Sequence, residues 1–409
     1  TINGKWLVEY NISTPVNSLK LTRKRNGFRT MTWKPLSPNT KLVKLGDTEQ
    51  ITMDSGSLFT KAIFEITLNT ERFPEEGLFS HVSDLKIFYR IISDLGEKIF
   101  IKDRIYENKA VYISDGSTDP FIYVGKMGPK YRHGFYLIID ERLPTWLQEK
   151  IRRFAAQVYH DFSVLFEGKP SFPPVILATS YLTENSELNW RYWGGLLHNT
   201  LELGFYGKKW IQDSKRANEH LTEFITHEFI HFWQNPATAG AEYLQSGWAL
   251  EGSADYLARK YLMEKGVLSE DYYWNEKVKA ANLCVKLQMS EKVAFSNPTY
   301  ATNYQIVYKC GEILALITDE LLSQSSPKIS IWKFWTEFIK RTSSLRKPYS
   351  VDEYFQLLTQ YTTQTKPELI LNLKKWTTEI NINPAVAMQE VFLVGGRTVN
   401  IDSEGNLKF

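Results

Sequence analysis

Residues 221–233 read LTEFITHEFIHFW and contain His227-Glu228-Phe229-Ile230-His231. No Gly or Pro interrupts the run before Pro236, and its apolar residues recur at helical spacing, which predicts a helix. Positions i and i+4 share one helix face. His227 and His231 can therefore aim both imidazoles at one point, as a zinc ion requires. Glu228 stands beside them, where it could reach a metal-bound water without ligating the metal. That arrangement suits metal-assisted hydrolysis with a glutamate as general base.

Working outward, Trp248-Ala249-Leu250-Glu251-Gly252-Ser253-Ala254-Asp255-Tyr256 reads as part of the next helix. A turn between the two helices could return Glu251 to the metal. Its carboxylate would complete a His₂Glu set and leave a fourth position for water. A carboxylate on so apolar a helix is costly to bury unless something pairs with it. Asp255 lies one turn further along the same face. A zinc-bound imidazole commonly gives its other N–H to a carboxylate, which fixes its tautomer and orientation. Asp255 is the candidate for that role, towards His227.

His227-Glu228-x-x-His231 followed by Glu251-Gly-Ser-Ala-Asp255 resembles the gluzincin zinc peptidases, and its spacing is similar to that of thermolysin. The wording Trp248-x-x-Glu251-Gly-x-Ala-x-Tyr256 is closer to the zinc aminopeptidases related to leukotriene A4 hydrolase and to the glycyl aminopeptidases. Gly194-Gly195-Leu196-Leu197-His198 resembles the segment with which those enzymes bind substrate. Tyr308-Lys309-Cys310-Gly311 resembles the Tyr-x-x-Gly segment that carries their catalytic tyrosine. The resemblance covers residues 145–345. It implies one Zn²⁺ held by His227, His231 and Glu251, Glu228 as base, Tyr308 as donor to the tetrahedral intermediate, and a peptide or protein substrate. Tyr304 is one turn from Tyr308 and is the alternative donor.

The remainder of the chain fits an α+β multidomain protein. Short runs rich in Val, Ile, Tyr, Phe and Thr, separated by Gly, Asn, Asp and Pro, predict strands over most of the first 140 residues. Residues 1–142 are expected to form an antiparallel β domain. Residues 143–345 would form the thermolysin-like, mostly helical catalytic domain, and residues 346–409 a helical segment ending in short strands. The helix over Trp146–Phe166 and the strand Val175–Tyr181 are the clearest elements at the junction. Trp190–Tyr206 reads as one extended aromatic segment around Gly194-Gly195.

Composition excludes several classes of function. Hydrophobic residues make up 43% of the 409, and charged residues 23%, which rules out a disordered chain. Forty-nine Lys and Arg face 46 Asp and Glu. So near a balance, with no basic stripe, argues against a nucleic-acid partner. No apolar run reaches the roughly 18 residues that span a bilayer. The start at Thr1, without a leader, points to export to the periplasm or medium, with the cytoplasm as the alternative. Cys284 and Cys310 read as buried free thiols.

The aminopeptidases resembled here carry, in the Gly-Gly segment, a glutamate that grips the substrate's α-amine. The matching position here is Leu197, or His198 in a shifted register, and neither offers a negative charge. The expectation is cleavage inside peptides or of blocked N-termini, unless Glu184, Glu187 or Glu202 supplies an anchor. Two other readings stay open: a zinc hydrolase of a non-peptide bond, and a catalytically silent peptidase fold used for binding.

Overall fold

The computed structural model describes residues 5–21, 28–46, 48–67, 87–92, 98–101, 104–107, 109–114, 122–125, 129–170, 173–181, 191–197, 199–234, 246–298, 301, 303–325, 328–345, 349–362, 367–379, 400–401 and 407–408. Contacts divide the chain into two units: Thr1–Glu149 with Phe172–Gln212, and Lys150–Ser171 with Asp213–Phe409. The architecture is α+β, with strands gathered in the first unit and helices in the second.

In the first unit, Lys5–Val16 pairs antiparallel with both Phe59–Thr67 and Ile87–Ile92, at the centre of a five-stranded sheet. Alternation along these strands puts Val8, Tyr10, Ala62 and Phe64 into the core and leaves the residues between them more open. A three-stranded sheet of Ser18–Leu21, Thr48–Met53 and Thr40–Leu45 adds Leu19, Leu21 and Ile51 to the same core.

The first unit also holds a mixed sheet. Phe135–Ile139 runs parallel to Val175–Tyr181, which runs parallel to Thr200–Tyr206. Parallel strands covered on both faces read as continuous apolar runs, and Thr200–Phe205 is buried throughout. Arg191–Leu197 then pairs antiparallel with Thr200–Tyr206 and forms the edge of the sheet. The expected single extended segment is thus two strands of a hairpin. These strands fall outside the unit that holds most of the helices, because β pairing with Phe135–Ile139 binds them to the first unit.

Helix α1 (Thr145–Leu165) follows Pro144, whose carbonyl accepts the Leu147 amide at 3.0 Å. Ile151, Phe154, Ala155, Val158 and Phe162 form its buried stripe. Helix α2 (Lys215–Gln234) is capped by Ser214, whose hydroxyl accepts the Ala217 N–H at 3.1 Å. Its far end is fixed by packing. The Trp233 ring stacks on Phe166 at 5.5 Å, and its indole N–H reaches the Gly168 carbonyl at 2.8 Å.

After residues 246 and 247 comes a π-helical turn, Trp248–Gly252, which runs directly into α3 (Ser253–Glu264). Helices α4 (Glu270–Glu291), α5 (Gln305–Ser323), α6 (Ile331–Leu345), α7 (Val351–Tyr361) and α8 (Pro367–Thr378) complete the described helices of the second unit. Ser269 caps α4 and Ser350 caps α7, each accepting the backbone N–H three residues on. Near the C-terminus, Asn400–Ile401 pairs antiparallel with Leu407–Lys408, as the short strands expected there require.

One expectation is overturned. Cys284 on α4 and Cys310 on α5 are joined in a disulfide, with Cα atoms 4.9 Å apart. The two helices lie side by side at this point, and both cysteines sit in the same buried seam. Among the described residues, no helix is long and apolar enough to cross a membrane.

Candidate metal centre

Helix α2 turns one face towards the π-turn and α3, and on that face His227 and His231 sit one turn apart with their rings edge to face. Their Nε2 atoms are 3.2 Å apart. Glu251 enters from the π-turn, with Oε2 3.2 Å from His227 Nε2 and 3.4 Å from His231 Nε2. The three ligand atoms lie within 4.8 Å of one another. The surroundings are dry, since Glu251 is 4% exposed and His231 8%.

The outward ring nitrogens are both committed. His227 Nδ1 faces Asp255 Oδ1 at 2.9 Å. His231 Nδ1 faces Gln234 Oε1 at 3.1 Å, and the Gln234 amide N–H donates to Ser253 Oγ at 2.6 Å. Ser253 in turn donates to the Ala249 carbonyl. With each Nδ1–H directed at an oxygen, each Nε2 keeps its lone pair for the shared point. Two imidazole nitrogens and one carboxylate oxygen around a common point form a donor set that fits zinc.

Electrostatics keep the carboxylates charged. Burial alone would raise the Glu251 carboxyl, but the two imidazoles hold it well below the usual carboxylate range. Burial opposes charge on His227 as well. Hydrogen bonds to Asp255 and Glu251 outweigh it and lift the imidazole well above its ordinary value, so a cation taken up at Nε2 would displace a proton there. Asp255 is pulled far down against its burial by Lys309, His227 and Arg259. Glu228 differs. It is 7% exposed, and burial prevails over the nearby imidazoles to push its carboxyl up. A carboxylate raised in this way is a stronger base.

Tyr308 belongs to the same cluster. Its ring lies nearly parallel to that of His227, with centroids 6.2 Å apart. Burial and the charges of Glu251 and Glu228 push its phenol far above 10, so it stays a protonated donor at neutral pH. Tyr304, one turn earlier, meets Tyr308 edge-on at 6.1 Å, and its hydroxyl is buried over Gly247. Burial pushes its phenol upwards too, with Glu251 adding to the effect.

Close backbone packing brings α5 to this position. A Cβ on Gly252 would run into the Gly311 backbone, and one on Gly311 would strike the Trp248 carbonyl. These two glycines let α5 lie directly against the π-turn. Tyr308 sits one turn before Gly311, on the helix that this contact draws in. One further residue around the centre, Gln234, and one element, the π-turn, had no place in the sequence reading. Gln234 could have been found from its i+3 spacing to His231. The π-turn itself has no local sequence signal.

Gly194, Gly195, Leu196 and Leu197 end the edge strand of the first unit, opposite Leu203, Glu202, Leu201 and Thr200. Glu202 thus pairs directly with Gly195. It is 7% exposed and accepts from Thr179 Oγ1 at 3.3 Å. Glu184, Glu187 and His198 lie outside the described residues.

No protein-family model and no curated protein sequence matches the chain. Among solved structures, it is similar to an aminopeptidase N family protein from Idiomarina loihiensis. That similarity has 14% identity and a TM-score of 0.65, and covers 99% of this chain and 79% of the other. A two-domain M1 zinc metallopeptidase superposes with a TM-score of 0.48 at 11% identity, covering 93% and 91% of the two chains. Yeast LTA4 hydrolase does so at 0.49 and 12%, covering 92% and 62%. The first likeness shows the fold: this chain folds as an aminopeptidase N family protein does.

Proposed function

We propose that this protein is a zinc-dependent metallopeptidase with a thermolysin-like catalytic domain. The observation that carries the reading is the convergence of His227 Nε2, His231 Nε2 and Glu251 Oε2, with both Nδ1 atoms tied off behind them. His227, His231 and Glu251 would hold one zinc ion. Zinc supplies Lewis acidity, polarising a carbonyl and acidifying a water.

The chain's own residues supply the rest. Glu228, its carboxyl raised by burial, takes a proton from the attacking water and hands it to the leaving amine. Tyr308 donates a hydrogen bond to the oxygen on which charge develops. Asp255 and Gln234 hold the two imidazoles in one tautomer and one orientation. The substrate is a peptide or protein. Because Leu197 cannot pair with an α-ammonium, the reading favours internal bonds or blocked N-termini. An aminopeptidase with its amine anchor elsewhere is the alternative. The Cys284–Cys310 disulfide supports a secreted or periplasmic location, since disulfides persist in oxidising compartments.

The test is elemental analysis together with digestion of a peptide mixture read by mass spectrometry. The expected result is one zinc per chain and cleavage by the wild type. Glu228→Gln should retain the zinc and lose roughly 10²–10⁴-fold in rate, the usual contribution of a general base. Zinc uptake with no cleavage of any peptide would leave the non-peptide hydrolase or the silent binding fold. Pairing each peptide with its N-acetylated form settles terminus preference. A first bond cut about tenfold faster in the free form would establish an aminopeptidase.

A further inference from the structure

Behind Asp255, which orients His227, lies a cluster of buried charge whose other members have no part in the proposed chemistry. Its centre is Glu312 on α5, which has no exposed surface. Glu312 Oε1 receives Arg259 Nη1 and Lys277 Nζ, each at 2.6 Å, and Oε2 receives Lys309 Nζ at 3.5 Å. Lys309 also reaches Asp255 Oδ2 at 2.9 Å, with Arg259 4.0 Å from the same oxygen. Glu223 takes Arg259 Nε at 3.4 Å and the Tyr272 hydroxyl at 2.7 Å. Lys277 is enclosed between the rings of Tyr256 and Tyr273, 4.7 and 4.8 Å from their centroids. Three cations (Arg259, Lys277, Lys309) therefore balance three carboxylates (Glu223, Asp255, Glu312) across α2, α3, α4 and α5.

Such a cluster is weak as a source of stability, because apolar residues of similar volume often do as well. Its geometry suggests another use. Asp255 offers one oxygen to His227 Nδ1 and the other to Lys309 and Arg259. Both of those cations are also held by Glu312. Without Glu312, Lys309 and Arg259 would be free to draw Asp255 away from His227.

We propose that Glu312 is a positioning residue for the metal ligand His227, acting through Lys309 and Arg259 on Asp255. The inference rests on the reading of His227, His231 and Glu251 as a zinc site.

The experiment measures the zinc dissociation constant by competition with a chromophoric chelator, for the wild type, Glu312→Gln, Asp255→Asn and the double variant. Loss of a partner behind a ligating histidine typically costs 10–100-fold in metal affinity. Asp255→Asn should fall in that range and Glu312→Gln should weaken binding about tenfold. The double variant should be no weaker than Asp255→Asn by more than about twofold, since Glu312 acts through Asp255. Wild-type affinity in Glu312→Gln would overturn the proposal. So would a Glu312→Gln loss that persists in full in the Asp255→Asn background. Should Glu312→Gln fail to fold, Lys277→Met/Glu312→Gln removes both buried charges and keeps the cluster neutral. It should show the same loss of affinity, and wild-type affinity there would overturn the proposal. A wild-type protein that takes up no zinc would sink the metal-site reading, and this inference with it.

Discussion

Each unit of the protein buries charge, but in different ways. In the first unit, Arg29 and Glu49 form an ion pair at 3.0 Å with both side chains almost fully covered. Glu49 also accepts the Thr30 N–H at 2.9 Å, and the Arg29 guanidinium lies 6.0 Å from the centre of the Trp33 ring. The pair fastens the helical turn Phe28–Thr32 to the strand Thr48–Met53. In the second unit, the charges form a chain that runs from Lys277 through Glu312, Lys309 and Asp255 to His227. The Arg29–Glu49 pair sets local register. A chain that ends on a metal ligand can also set the geometry of a reaction.

The sharpest test of the second kind of region lies at its functional end. Tyr308→Phe removes one hydroxyl and keeps the ring that lies along His227. If Tyr308 is the donor to the developing oxyanion, turnover should fall about 10²–10³-fold, the cost of losing one such donor in a well-studied protease. KM should stay nearly unchanged, because the interaction is made only in the transition state. Steady-state kinetics on a cleaved peptide provide the check. If Tyr304→Phe shows the defect and Tyr308→Phe does not, the phenol over Gly247 is the donor and the assignment is off by one helical turn.

How far the sequence reveals each region follows from the range of its interactions. The helix carrying His227 and His231 and the position of Glu251 rest on local periodicity, which is visible along the chain. The strands of the three-stranded sheet that holds Glu49 lie within the expected β region, but their individual bounds are not legible. Thr40-Lys-Leu-Val-Lys-Leu45 and Thr48-Glu-Gln-Ile-Thr-Met53 are polar and half exposed, so neither has a strong strand pattern. The disulfide joins residues 26 apart on two different helices, and nothing near either cysteine announces the other. The ion cluster has the same character. Lys277, Arg259 and Glu312 each resemble surface helix residues until four helices are packed together. Gln234 is the exception, because its spacing from His231 was available and went unused.

Arg29→Met tests the other side of the comparison. It leaves Glu49 buried without its cation, and breaking a buried pair from one side costs about 3–5 kcal/mol. Chemical denaturation should show that loss in the first unit. Zinc affinity, and turnover at a temperature where the variant is folded, should match the wild type. A change in zinc affinity would break the distinction between a pair that sets register and a chain that serves the site.

The smallest effect is read from acid stability. Burial would raise the Glu312 carboxyl, but Arg259, Lys277 and Lys309 together bring it down to about 2 from an ordinary 4.5. Lys277 has this one carboxylate as a direct partner and is completely enclosed, so burial prevails and lowers its ammonium to about 8. Both groups are therefore charged between pH 4.5 and 8. A carboxylate with a depressed pKa binds fewer protons folded than unfolded, so it stabilises the fold above its unfolded pKa. That contribution is complete above pH 4.5 and is lost as the pH falls through about 2. It amounts to about 3 kcal/mol at 1.36 kcal/mol per pKa unit. Glu312→Gln has no such titration. In urea melts of metal-free protein, the gap between the wild type and Glu312→Gln should be widest near pH 6 and close progressively from pH 4.5 towards pH 2. A gap that stays constant over that range would mean that Glu312 holds its position by shape rather than by charge, and the chain of ion pairs would lose its central link.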